Sequence, residues 1–261
     1  MIWKLFRYDF RGVGKKLFPL YALALLFALM SRLFVVSPGL GNAFVQPDWV
    51  RMILGMIFAL TWMLVGSIFV VTSVTLLTKY FRSTYGEEGY LTHTLPITTT
   101  QKILSKMLSF YVWYLIATLV ALSCIFVMFF DSSVYFDFVR AMIDAFRDIF
   151  PTLSFDQLLA GFLYFIIMII APVQGILMMY LCAGIGAMFK HKFVSGVCAY
   201  FVISFISTLF SNIFFSDLFD FDRSHISILR LPSVILVTMI LCTAAFFFGT
   251  KYLLDKQLNL E

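Results

Sequence analysis

Charge is what this sequence has least of. Lys, Arg, Asp and Glu make up 13% of its 261 residues and hydrophobic residues 62%, where a soluble domain carries about 25% charged and about 45–50% apolar. So little polar surface cannot wrap a water-exposed globule of this length, and lipid must stand in for water around much of the chain. Cysteine is scarce too. Cys124, Cys182, Cys198 and Cys242 all sit inside apolar runs, which excludes a disulfide framework or a CxxC metal site and leaves them as small packing residues. The three histidines, His93, His191 and His225, stand in three separate polar segments and cannot form one metal site in a single chain. The alternating pattern of an outer-membrane strand is missing, as in Phe-Ile-Ile-Met-Ile-Ile at 165–170. A nucleotide loop is missing as well. Gly12-Val-Gly14-Lys15-Lys16 offers glycines and lysines, but Asp9 stands where a Walker A needs glycine and Lys16 where it needs Ser or Thr, so the stretch reads as a flexible joint.

What the sequence has is six apolar runs, at 17–37, 52–78, 107–130, 157–189, 193–216 and 231–250. Each supplies the roughly 20 residues a transmembrane helix needs. The longest stretch between them, 79–106, is too short for a soluble domain of about 100 residues. The expected fold is therefore all-α, one integral membrane domain of six transmembrane helices over residues 1–261.

Lysine and arginine set the expected orientation. With six spans both termini lie on one side, and that side holds all ten lysines, whereas nine of the eleven aspartates fall on the other. The positive-inside rule then puts both termini and the 79–106 loop in the cytoplasm. The first run is expected to remain as a span rather than to be cleaved as a signal peptide, because its Ala22-x-Ala24 lies in mid-run.

Three segments have their own patterns. Residues 1–16 read as an interfacial elbow, with Trp3, Phe6 and Phe10 toward lipid, Lys4, Arg7 and Arg11 toward phosphates, and Pro19 opening the first span. Residues 131–156 read as an amphipathic outer helix with an apolar stripe of Val134, Phe138, Met142, Phe146 and Ile149. Its Asp137, Arg140, Asp144, Arg147 and Asp148 are spaced to pair along one face. The stripe can lie on lipid or on the outer mouth of the bundle. The fourth run is longer than the roughly 30 Å hydrocarbon core requires, and Pro172, Gln174 and Gly175 near its middle mark either a broken, re-entrant element or one long tilted helix. Proline frees a backbone carbonyl and Gln174 places an amide in an apolar run, so both are candidates for a pathway or gate.

Catalytic chemistry has no foothold in the spans, which hold no Asp, Glu, Lys or His in their interiors. An intramembrane protease or an ion-coupled carrier normally places such groups at mid-membrane. No enzyme activity is expected of the chain itself. The loop from Tyr80 to Lys106 is the most distinctive stretch. Thr84-x-x-Glu87 and Thr98-x-x-Gln101 both read as capping boxes, with Pro96 between them, and a short helix carrying Tyr90, Leu91 and Leu95 there could enter a groove of another protein.

Gly-Glu-Glu-Gly-Tyr-Leu-Thr-His-Thr-Leu-Pro at 86–96, followed by Ile-Leu-Ser-Lys at 103–106, resembles the cytoplasmic loop of type 2 ABC exporter permeases, and Trp3 to Arg11 is similar to their N-terminal elbow. The resemblance implies six helices per subunit, paired to twelve as a homodimer in the bacterial cell membrane. It implies a separate ATPase in two copies that holds ATP and Mg, no cofactor on this chain, and a coupling element comprising Glu87, Glu88, Tyr90, Leu91, Thr94 and Leu95. In some members the large outer helices lie between spans five and six, whereas here the longer outer loop is 131–156. The expected function is export of a hydrophobic or amphipathic substrate, such as a peptide, bacteriocin, peptide toxin or lipophilic drug. Two other classes stay open: a non-transporting immunity or sensor subunit, and an ion-coupled carrier.

Overall fold

The computed structural model describes residues 2–33, 47–86, 98–129, 132–149, 153–219 and 228–258. They form seven helices and no strand: α1 Ile2–Ser31, α2 Asp48–Tyr85, α3 Thr99–Phe129, α4 Ser132–Ile149, α5 Phe155–Ala187, α6 Lys192–Phe219 and α7 Arg230–Leu258. All but α4 contain a stretch long and apolar enough to cross a membrane. Many of their large apolar side chains face outward, among them Leu26, Met63, Leu119, Met168 and Phe205, as expected where lipid is the solvent.

The chain divides into two compact units. The first comprises Lys4–Leu76 and Val112–Asp148. Its interior is written as stripes at spacings of three and four: Val13, Leu17, Tyr21, Ala24 and Ala28 on α1, Thr61, Val65, Ile68, Thr72 and Leu76 on α2, and Trp113, Ala117, Ala121, Cys124 and Met128 on α3 are all buried. The alanines let backbones approach closely, which in lipid replaces the hydrophobic drive for helix association. The Tyr21 hydroxyl is hydrogen-bonded to Thr72 Oγ1 at 2.8 Å, joining α1 to α2.

The elbow differs from its expectation. Residues from Ile2 run without a break into the rest of α1, through Gly12, Gly14 and Pro19, so the expected joint is helix. Trp3 is exposed, but Phe6 is buried and Phe10 stacks on Trp113 at 4.7 Å. Gly14 permits this, since a Cβ there would sit 3.2 Å from the Trp113 ring. Two of the three aromatics assigned to lipid are thus packed inside protein. The apolar stretch of α1 is Asp9–Ser31, earlier in sequence than the expected 17–37.

The second unit comprises Met1–Trp3, Leu77–Tyr111 and Ile149–Glu261. Here α5 packs against α6 and α7, and Ile103, Leu177, Cys242, Phe246 and Leu254 form its core. Ser154 caps α5 through a full capping box with Gln157. Between the open alternatives for the fourth run the structure has the long one: Pro172 lies inside a continuous 33-residue helix. At 1.5 Å per residue that is about 50 Å, so α5 is tilted or extends past the hydrocarbon.

Along α4 the amphipathic helix forms as the pattern predicts. The charge pairs do not: among the described residues Asp137, Arg140, Asp144, Arg147 and Asp148 all point into the open and none is in an ion pair. A spacing of three or four permits such pairs, which contribute only about 0.2–0.5 kcal/mol on an exposed helix.

Candidate functional site

The most polar buried place in the second unit is where α2 ends and α3 begins. Thr98 caps α3 as its motif predicts, its Oγ1 accepting from the Gln101 N–H at 3.4 Å. One residue on, the Thr99 hydroxyl donates to Asp255 Oδ1 at 2.7 Å and ties the start of α3 to the end of α7. Thr84 lies within the last turn of α2, which continues to Tyr85, and its hydroxyl accepts from a lysine; Glu87 and the helix that this motif is expected to start lie outside the described residues.

That lysine is Lys106, which is buried. Its Nζ donates to Ser83 Oγ at 2.6 Å and to Thr84 Oγ1 at 2.8 Å, and stands 5.5 Å from the centre of the Tyr80 ring. A buried ammonium is costly unless its protons find acceptors, and two hydroxyls with a π face supply them. Tyr80 in turn stacks flat on Tyr180 of α5, with centroids 3.7 Å apart and planes 6° from parallel. Tyr85 meets Tyr80 edge-on at 6.2 Å, and Phe110 meets Tyr180 edge-on at 6.2 Å. Gly184 leaves room for the Tyr85 hydroxyl, which would lie 2.9 Å from a Cβ at that position. The ends of α2 and α3 are therefore locked to each other by Lys106 and to α5 by stacked rings.

Glu87, Glu88, Tyr90, Leu91, Thr94 and Leu95 lie outside the described residues, as do His93 and His225. The structure brings together instead the two helix ends that flank them. Pro172 and Gln174 lie in α5, both half-buried, and Gln174 makes no hydrogen bond among the described residues. Their neighbour Val173 packs against the core of the second unit. Pro172 and Gln174 are thus on the same element as Tyr180 but not in its cluster.

The lysine–tyrosine cluster itself was missed in the sequence. One signal could have found it: Ile103, Lys106, Phe110, Trp113 and Ala117 fall at spacings of three and four, so a lysine stands in an otherwise apolar stripe. Among the described residues no three His, Cys, Asp or Glu side chains gather in a way that could hold a metal ion.

These observations define the class: an all-helical, multi-pass membrane protein with six helices able to span a bilayer. No protein-family model matches the chain, and no curated protein or solved structure matches it.

Proposed function

We propose that the chain is the permease subunit of an ATP-driven exporter and that residues 87–97 take up the motion of a separate ATP-binding cassette protein. The observation that carries this reading is the bracing of both flanks of that segment by Lys106 and the Tyr80–Tyr180 stack. A push on a segment held by loose ends would be absorbed there; held by a packed knot, it moves α2, α3 and α5 together. The likeness of 86–96 to the coupling loop of type 2 exporter permeases supports the same reading. In it, two copies of this chain enclose a hydrophobic or amphipathic substrate, two ATPase copies with ATP and Mg supply the energy, and the site opens inward and then outward. Gln174, whose amide makes no hydrogen bond among the described residues, suits a place beside protein or water rather than lipid.

In detergent extracts the affinity-purified chain should carry an ATP-binding cassette protein with it. In proteoliposomes holding both, changing Tyr90 and Leu91 together to Ala should leave insertion intact and lower transport-coupled ATPase activity about tenfold. Unaltered coupled transport in that variant would remove 87–97 from the mechanism.

The orientation in this proposal puts 79–106 and both termini in the cytoplasm of a bacterial cell, from the one-sided placement of lysine. Cysteines placed at Asp144 and Asp220 should react with a membrane-impermeant thiol reagent added to whole cells, and one at His191 should not. The reverse pattern would invert the topology.

A further inference from the structure

The span α3 ends at Phe129 and the span α5 begins at Phe155, and α4, Ser132–Ile149, is strung between them. An extended chain covers at most about 3.6 Å per residue. The start of α4 is therefore held within about 11 Å of the end of one span and its end within about 22 Å of the start of the next. Both neighbouring span ends are themselves apolar and outward-facing: Phe126 and Phe129 on one side, Phe155, Leu158 and Phe162 on the other. Whichever way the chain is oriented, α4 is pinned to the membrane boundary opposite the one reached by the start of α3.

Its surface is divided to match. Every side chain from Phe136 to Asp148 is exposed except Val139, which is half-buried. At 100° per residue Asp137, Asp144 and Asp148 share one narrow strip, and Arg140 and Arg147 lie together along its margin next to Phe136 and Ile143. The remaining arc, about 200° wide, holds Ala141, Ala145, Phe138, Met142, Phe146 and Val139. Phe138 is 61% and Phe146 65% exposed. A soluble protein does not leave such a face to water.

We infer that α4 is a membrane-surface helix whose Phe138, Met142 and Phe146 enter the acyl boundary of one leaflet while Arg140 and Arg147 reach its phosphates and the aspartates face water. Tethering at both ends selects lipid as the occupant, because each of the two spans to which α4 is tied carries exposed large apolar side chains at the end where it is tied. Unpaired on the helix, the two arginines can extend along its margin to the headgroups. The inference does not depend on what the protein transports.

The test uses the full chain in nanodiscs of phosphatidylcholine and phosphatidylglycerol, with exposed Cys198 changed to Ala and the three buried cysteines kept. Single nitroxide labels at Phe138→Cys, Met142→Cys, Phe146→Cys, Asp137→Cys and Asp144→Cys are read for collision with oxygen and with a water-soluble nickel chelate. Labels on the apolar face should show an oxygen-to-nickel ratio several-fold above those at the aspartates, corresponding to a depth of about 5–10 Å. Equal nickel access at Met142, Phe146 and Asp144 would show a water-exposed helix and overturn the inference. So would immobile labels at Met142 and Phe146 that neither reagent reaches, since protein from this chain or a second copy would then cover the face. Labelling five positions singly keeps the test decisive if one variant fails to fold.

Discussion

Lys106→Met should weaken the junction of α2 and α3 by about 2–4 kcal/mol, because it deletes two hydrogen bonds from a buried charge while keeping most of the aliphatic stem. The loss is moderated at Ser83, whose hydroxyl also donates to the Tyr80 carbonyl at 3.2 Å. Amide exchange in Ser83, Thr84 and Tyr85, measured in detergent, should rise well before the rest of α2 opens. If the proposed coupling is right, the same variant should insert normally yet pass less of the ATPase cycle on to transport. A variant with unchanged exchange and unchanged unfolding midpoint would show that Lys106 is merely accommodated and does not brace the helix ends.

How much of this was legible beforehand depended on which physical signal a residue carries. Long apolar runs declare themselves, so the six spans were readable. So was α4, since a face that repeats every three or four residues needs no tertiary partner to be seen. The Thr98 cap was readable for the same reason: capping is local. The place of Thr84 in α2 was not readable, because a capping motif says nothing about whether a helix arriving from the other side continues through it, as α2 does to Tyr85. The elbow misled because Phe6 and Phe10 have the same spacing whether they meet lipid or, as here, stack on each other with Phe10 against Trp113. Nothing in the spacing of Pro172 distinguished a broken helix from a continuous one, because neighbouring groups can tolerate the carbonyl that proline leaves free. Lys106 was hidden for another reason. As one of ten lysines, it counted toward the charge asymmetry that sets orientation, and in that role a lysine is assumed to be solvated. Its partners are 22 and 23 residues away in sequence, beyond the reach of any local pattern.

Tyr180→Ala should cost about 3–4 kcal/mol, near the range for deleting a large buried aromatic side chain. The ring is 1% exposed, is stacked on Tyr80 and takes Phe110 on its edge, so the void borders three helices of one unit. Tyr180→Phe keeps both ring contacts and should cost under about 1.5 kcal/mol. Unfolding of the reconstituted chain in SDS would measure both, and equal losses would show that the hydroxyl rather than the stack matters. Tyr80 links this site to the lysine, because one face meets Tyr180 and its ring lies 5.5 Å from Lys106 Nζ. Combining Tyr180→Ala with Lys106→Met should therefore destabilise by less than the two changes separately add up to, with a difference of about 0.5–3 kcal/mol. Strict additivity would mean that the ring stack and the ammonium hold the helix ends independently, and the end of α2 would then have two separate anchors rather than the single knot that the proposed coupling requires.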